Sequence, residues 1–330
     1  MKNPFIIVAS LFVLVAVVWT SYAFLKSSSS VKQKSYRVGV IVRGDSYKPA
    51  VSGFKAHMAE LGYTEGGSVT YDIVYVVNAG DIASTTSGVI ARKPDLILTF
   101  STPVTTEVAK QTTTIPIVFG SVGDPLSAGF VNTLNHPGGN ITGIMSLSVE
   151  LSPKRLDLLK QLYPNLKKVA VPVTMTDIAA KNSLDLIMKI APTLGVTVVP
   201  YFIDANHTPT EVAGTIFSKD VDGIVLSADS ATWAVLPAYI AQAKKEKLPF
   251  AVFDQNMVQS GGLVGYGPDY TVVGAQAADI IKRILGGASP ANLPIESPDK
   301  LILALNLKTA KELGLTVPSV FLSQVDYLVQ

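Results

Sequence analysis

From about residue 38 to the C-terminus, short apolar runs rich in β-branched residues alternate with segments whose apolar positions recur at helical spacing. Residues 38–42 are almost continuously apolar, as in a strand buried on both faces of a parallel sheet. Pro49 marks the first turn of a helix expected to end at Leu61, with Gly62 as its stop. Residues 69–76 read as a second strand, 81–91 as a second helix, and 96–100 as a third strand. Thr102 is the expected cap and Pro103 the first-turn residue of the helix that follows. Residues 117–119 complete this series, and the turn-rich His136-Pro137-Gly138-Gly139-Asn140 leads to an extended segment from Ile141.

A second series starts after Ile144. Ser152 and Pro153 open a helix to Leu162, residues 169–173 form a strand, and a long helix runs over 178–194 to Gly195. Strand 197–202 follows, and Thr208-Pro209-Thr210-Glu211 combines a capping box with a first-turn proline. Strand 223–226, helix 233–245 and strand 250–253 end the series. Beyond it lie strand 262–266, the amphipathic helix 272–285 stopped by Gly286-Gly287, strand 300–305, and helix 308–313. Strand–helix alternation with short connections predicts α/β doubly wound parallel sheets. Two series of similar order in 330 residues predict two lobes. The expected division is 35–143 with 255–299 for lobe one and 144–254 with 300–330 for lobe two. Several crossings between lobes restrict their motion to a hinge, the behaviour of a closing clamp.

Residues 1–34 stand apart. Lys2 is followed by an uncharged, mostly apolar run to Leu25, then Lys26 and four serines. As a helix the run is long enough to cross the roughly 30 Å bilayer core. Ser21-Tyr22-Ala23 fits a small-x-small cleavage site, so this is a signal peptide or a retained membrane anchor. The run's length favours the anchor, and either reading exports the remainder. The serine run is a flexible linker.

Bulk chemistry narrows the function. The net charge is +2 with only 16% charged residues, and no Lys/Arg stripe offers a footprint for nucleic acid. The absence of cysteine removes disulfides, thiolate metal sites and a cysteine nucleophile. His57, His136 and His207 are scattered without metal-ligand spacing, so no metal or other cofactor is expected. No dinucleotide fingerprint, phosphate loop or G-x-S-x-G elbow occurs, which argues against an enzyme and names no catalytic residue.

Ligands of open parallel sheets lie beyond the carboxyl ends of the strands. That rule selects the loops 43–47, 101–102 and 120–124 in lobe one, and 174–177, 227–230 and 254–255 in lobe two. The candidate ligand-binding residues are therefore Arg43, Tyr47, Ser101, Thr102, Ser121, Asp177, Asp229 and Asp254. Lobe one offers hydroxyls, an arginine and a helix start suited to a carboxylate. Lobe two offers carboxylates suited to an amine. The pattern fits a small zwitterion with its acid end at Ser101 and Thr102 and its amine at Asp229 or Asp254. Structural roles compete for several of these residues: Thr102 and Asp229 as helix caps, Asp254 as a hinge acceptor, and Arg43 paired with Asp45. Tyr47, Trp233 and Phe253 fit either a ligand stack or the core.

Gly123-Asp124-Pro125, then Pro137-Gly138-Gly139-Asn140-Ile141-Thr142-Gly143, resembles the substrate-binding proteins of ABC transporters in the tryptophan/tyrosine/phenylalanine-binding-like group. So do Gly265-Tyr266-Gly267-Pro268-Asp269-Tyr270, Asn306-Leu307-Lys308-Thr309-Ala310-Lys311 and Leu313-Gly314-Leu315. The resemblance runs in order from about Ser35 to the C-terminus. It implies the type 1 periplasmic binding protein fold, a small ligand enclosed between lobes, and delivery to a membrane permease with a cytoplasmic ATPase. The chain departs from the family pattern in three places. Gly123 stands where Thr is common, Asp229-Ser230 where Asp-Asn is frequent, and Thr176 to Ser183 in place of a Glu-x-Asn-Ser region. These loops face the ligand in the family, so the fold transfers more firmly than the specificity. Two rivals remain beside an importer component: an anchored sensor feeding a signalling partner, and an exported α/β enzyme.

Overall fold

The computed structural model describes residues 35–330 and, before them, Trp19 alone. The signal-or-anchor run and the serine linker thus fall outside the described residues. Among those described, no helix is long and apolar enough to cross a membrane.

Two sheets carry the chain. The first contains β1 (Tyr36–Arg43), β2 (Val69–Val76), β3 (Leu96–Phe100), β4 (Ile117–Val122) and β5 (Ile141–Met145). They lie in the order β2-β1-β3-β4-β5, and every neighbouring pair is parallel. All five residues of β3 and all six of β4 are buried. This follows from helices covering both faces, and it is why these strands read as unbroken apolar runs. The crossovers are α1 (Lys48–Glu60), α2 (Ile82–Ala91) and α3 (Thr102–Gln111).

The second sheet contains β6 (Lys168–Thr174), β7 (Thr197–Ile203), β8 (Gly223–Val225), β9 (Phe250–Val252), β10 (Val264–Pro268), β11 (Leu301–Asn306) and β12 (Tyr327–Val329). Their order is β12-β11-β10-β9-β8-β6-β7, parallel throughout except for the antiparallel pair β10 and β11. Its helices are α4 (Ser152–Leu162), α5 (Ile178–Ile190), α6 (Pro209–Gly214), α7 (Ser230–Ala234), α8 (Leu236–Glu246) and α9 (Gln255–Gln259). α11 (Leu307–Glu312) and α12 (Ser319–Leu322) also pack in this lobe, while α10 (Tyr270–Leu285) packs in the first. The expected two-lobed, doubly wound α/β architecture is the one observed.

Local chemistry explains most element ends. Thr208 and Glu211 form the expected reciprocal capping box on α6. Gly195 takes the left-handed conformation that stops the α5 segment. The helix expected over 233–245 is instead two, α7 and α8. Pro237 lacks an N–H and crowds the carbonyl four residues earlier, so one continuous helix cannot pass through it. Thr102 is the first residue of α3, and Ser101 occupies the cap position ahead of it.

The chain returns to lobe one later than residue 255. β10 pairs with β9 at Val264 and Ala251 and with β11 along its length, so residues 255–268 run with the second sheet. Gly267 permits this close seating, because a Cβ there would stand 2.3 Å from the Phe253 carbonyl oxygen. The returning segment is α10, which packs on α1 through Val273, Ala277, Ile280 and Ile281 against Val51, Phe54 and Met58.

Three strands of chain link the lobes, and they are bonded to one another. After β5, Met145 N–H donates to the Glu296 carbonyl at 3.0 Å, and Glu296 N–H donates to Gly143 at 2.9 Å. Asp269 N–H donates to the Lys300 carbonyl at 2.9 Å, continuing the β10–β11 pairing. Gly143, with φ 155°, lies under Phe119, whose carbonyl oxygen is 2.1 Å from where a Cβ would be. Asn140 and Thr142 brace the same turn, donating to the Ile115 and Leu293 carbonyls at 2.7 and 2.8 Å. The Pro-Gly-Gly-Asn-Ile-Thr-Gly passage is therefore the footing of the hinge.

Candidate functional site

The carboxyl ends of both sheets' parallel strands face one cavity of about 490 Å³. That size falls within the range of roughly 300–1,000 Å³ usual for small-molecule sites. Five of the six loops chosen from the sequence supply its wall, and Arg43, Tyr47, Ser101, Thr102, Ser121, Asp177 and Asp229 all line it. Asp254 does not. It is only 1% exposed and sits behind the wall formed by Phe253 and Tyr270.

Ser101 is the most unusual residue of the wall. At φ 92° and ψ 145° it occupies a region that side chains rarely adopt, at the junction of β3 and α3. Its hydroxyl is buried and has no hydrogen-bond partner. An unsatisfied polar group is thus held in the cavity wall beside the free N–H groups of a ten-residue helix. Thr102 Oγ1 accepts from Gly123 N–H at 3.3 Å, tying the end of β3 to the end of β4. The Ser121 hydroxyl lies 3.5 Å from that of Tyr47. Among the described residues Arg43 forms no ion pair, and Asp45 pairs instead with Lys48 at 2.9 Å.

The acids of lobe two are already engaged. Asp177 caps α5, accepting from the N–H groups of Ala179 and Ala180, and burial pushes its carboxyl upward from the usual range. Asp229 caps α7 through Oδ1 and accepts from Thr174 N–H through Oδ2 at 2.6 Å, fixing α7 to the end of β6. Asp254 caps α9 through Oδ1, while its Oδ2 is enclosed without a hydrogen-bond partner. Burial raises its pKa against the opposing pull of the N–H groups it accepts, the neighbouring Tyr270 phenol and Arg155.

Aromatic rings join the two sides. Tyr47 stacks on Phe100 at 5.7 Å and meets Tyr270 edge-on at 5.0 Å, both within lobe one. It also touches Trp233 of lobe two at 5.5 Å, and Trp233 packs on Phe253 at 6.3 Å. Burial holds the Tyr47 and Tyr270 phenols well above the ordinary tyrosine range, so both stay neutral donors. Asn256 adds a polar contact across the gap, donating from Nδ2 to the Ser46 carbonyl at 2.9 Å. The lobes are thus drawn together over the cavity.

Arg155 of α4 was missed from the sequence. The residue is 1% exposed and lines the cavity, and its guanidinium lies 4.6 Å from the Phe253 ring centroid. The signal was available: Arg155 stands three, four and seven residues before the buried Leu158, Leu159 and Leu162, on the helix's inward stripe. A charged residue on such a stripe is buried for a reason other than core packing. Tyr270, Ser146 and Ser148 also line the cavity and were not singled out. Among the described residues no group of three or more His, Asp or Glu side chains is arranged to hold a metal ion.

Comparison with known proteins bears on this arrangement. Residues 36–328 match the model of the family described as ABC transporter substrate binding protein. The chain is 28% identical over 295 residues to a tyrosine-binding protein of Clostridioides difficile (strain R20291), covering 88% of this chain and 84% of that protein. Among solved structures it is similar to an ABC domain in complex with L-Trp from Streptococcus pneumonia, at 24% identity and TM-score 0.80. That match covers 90% of this chain and 100% of the other. It is also similar to a conserved domain protein of Vibrio cholerae O1 biovar eltor, at 25% identity and TM-score 0.81 over 89% of this chain and 100% of the other. With the family match spanning both lobes and the cavity between them, the chain belongs to the ABC transporter substrate binding proteins.

Proposed function

We propose that this chain is the extracytoplasmic solute-binding component of an ABC importer and encloses an amino acid or related zwitterion between its lobes. The observation that carries the reading is Ser101, a strained residue whose buried hydroxyl is left without a partner where β3 meets α3. Strain and an unsatisfied donor both cost stability, and a ligand that accepts from the hydroxyl offsets the second cost. The acid end of the solute is assigned to Ser101, Thr102 and the α3 N-terminus, with Ser121 and Arg43 on the same lobe. The amine is assigned to the acidic side formed by Asp229 and Asp177, with Asp254 acting from behind the wall. Tyr47, Trp233 and Phe253 supply apolar surface for a side chain. Named relatives support an aromatic amino acid, since one is a tyrosine-binding protein and another was solved with L-Trp.

The reading assigns no catalytic step. The solute leaves unchanged to a membrane permease driven by a cytoplasmic ATPase, and the N-terminal apolar run exports the protein to the outer face of the membrane or anchors it there. Isothermal calorimetry against the twenty amino acids and their decarboxylated amines is the test. One or a few amino acids binding at a single site is the expected outcome. Tight binding of some other metabolite, with no amino acid or amine bound, would contradict it.

A further inference from the structure

Arg155 is a fully buried cation for which the described residues supply no counter-ion. Its Nε donates to the Tyr266 carbonyl at 3.0 Å and Nη1 to the Ser148 carbonyl at 2.8 Å, with the Ser152 hydroxyl at 3.5 Å. Nη2 is buried and donates to nothing. Asp254 and Glu150 act on it only through longer-range attraction, and among the described residues no carboxylate forms an ion pair with it. One face of the guanidinium is covered by the Phe253 ring, and Arg155 is one of the residues lining the cavity. Burial lowers its pKa to about 10, so it keeps its charge at neutral pH.

An uncompensated buried charge is costly, and protein carbonyls offset only part of the lost hydration. Those carbonyls do orient the guanidinium: two nitrogens are fixed, and the third is left over. The Ser148 that anchors it lies against Gly123, which Thr102 holds in turn. Arg155 therefore belongs to the same hydroxyl-lined side as Ser101. We propose that Arg155 is the counter-charge for a carboxylate of the bound solute, and that through it the cleft selects acids over their amides and amines. This rests on the reading of the cavity as a ligand site and specifies which side chain sets the requirement for an acid. Arginine suits the task because its planar donors match a carboxylate and its charge does not titrate near neutrality.

The test compares L-tryptophan and L-tyrosine with L-tryptophanamide and tryptamine, and with the amine-free acids indole-3-acetate and 4-hydroxyphenylacetate. Binding is measured for the wild type, Arg155→Gln and Arg155→Lys by calorimetry, with unfolding temperature as a check on folding. The wild type is expected to favour an amino acid over its amide by on the order of 100-fold. R155Q should reduce that ratio to a few-fold, and R155K should restore part of it. A purely structural role for Arg155 would weaken acid and amide alike and leave the ratio unchanged, which overturns the inference while leaving the zwitterion reading intact. If R155Q does not fold, R155K decides: full retention of wild-type affinity and ratio overturns the inference, and a reduced ratio upholds it. Binding of the amine-free acids but no amino acid, in an Arg155-dependent manner, upholds the inference and overturns the zwitterion reading. Binding of no acid of either kind overturns both.

Discussion

At the residue scale, the cavity wall includes two residues, Ser101 and Arg155, with a buried polar atom that the fold leaves unpartnered. Ser101 illustrates the trade. Glycine at this position relieves the backbone strain, worth roughly 1–3 kcal/mol, but costs unfolded-chain entropy of roughly 0.5–1 kcal/mol. Ser101→Gly is therefore expected to raise unfolding free energy by about 1 kcal/mol in a urea titration. The same substitution removes the hydroxyl and should weaken solute binding by roughly 5- to 10-fold. Loss of stability in S101G would show that the conformation is not strained, and unchanged affinity would remove the hydroxyl from the site. Candidate residues were legible where a general rule reached them. The rule that ligands sit beyond strand ends found Arg43, Tyr47, Ser101, Thr102, Ser121, Asp177 and Asp229 as wall residues without any side-chain geometry. It failed for Asp254, whose side chain turns inward to cap α9, a short helix the sequence did not announce. It could not reach Arg155, which lies within a helix rather than at a strand end. Nor could it tell which acids are spent on caps, because capping and ligand contact favour the same residue types.

At the element scale, the contact between α1 and α10 holds the returning segment to lobe one. Their backbones approach so closely that a Cβ on Gly274 would stand 1.9 Å from the Ala50 carbonyl oxygen, and one on Gly53 would stand 2.1 Å from that of Thr271. Backbone atoms cannot rotate aside. Gly274→Ala should therefore destabilise by about 3 kcal/mol or more, at or beyond the upper end for an overpacked core. A two-state denaturation curve with an unchanged midpoint would refute the close packing. His57 spans the same pair, with Nδ1 2.8 Å from Glu60 and Nε2 3.2 Å from Asp279 of α10. The Glu60 hydrogen bond, aided by Asp279, raises its pKa above the ordinary value. A raised histidine pKa favours the protonated form in the folded state. The stabilisation is fully present below the unfolded value of about 6.5 and is lost as pH rises through the higher folded value. The wild type should exceed His57→Gln in melting temperature at pH 5.5 and lose that advantage by pH 9. A difference independent of pH would mean that the ring acts only by packing. This contact also shows why one boundary was misread: a strand at 264–268 looks alike whichever sheet it joins, and partner choice depends on pairing that periodicity does not encode.

At the scale of the whole molecule, the two-lobed architecture was the most legible property. Buried parallel strands write themselves as apolar runs, and caps such as Thr208 and Gly195 mark helix ends in plain residue types. Closure was not legible, since it depends on contacts between residues far apart in the chain. Trp233 against Tyr47 and Asn256 against Ser46 close the gap, and each pairs one lobe with the other. Trp233 is the one tryptophan in residues 35–330. Its emission in a fragment starting at Ser35 is expected to shift when solute binds, because closure changes the ring's exposure to water. An emission spectrum unaltered at saturating solute would place Trp233 outside the moving interface.

Under the proposed function, two wound sheets joined by three bonded crossings shut over a small solute and release it unaltered. Mass spectrometry of what the purified protein gives up on unfolding, after saturation with an amino acid found to bind and removal of the excess, tests this most directly. About one equivalent of the same molecule, with unchanged mass, is the expected result. Recovery of a chemically altered product, or of no small molecule at all, would contradict it.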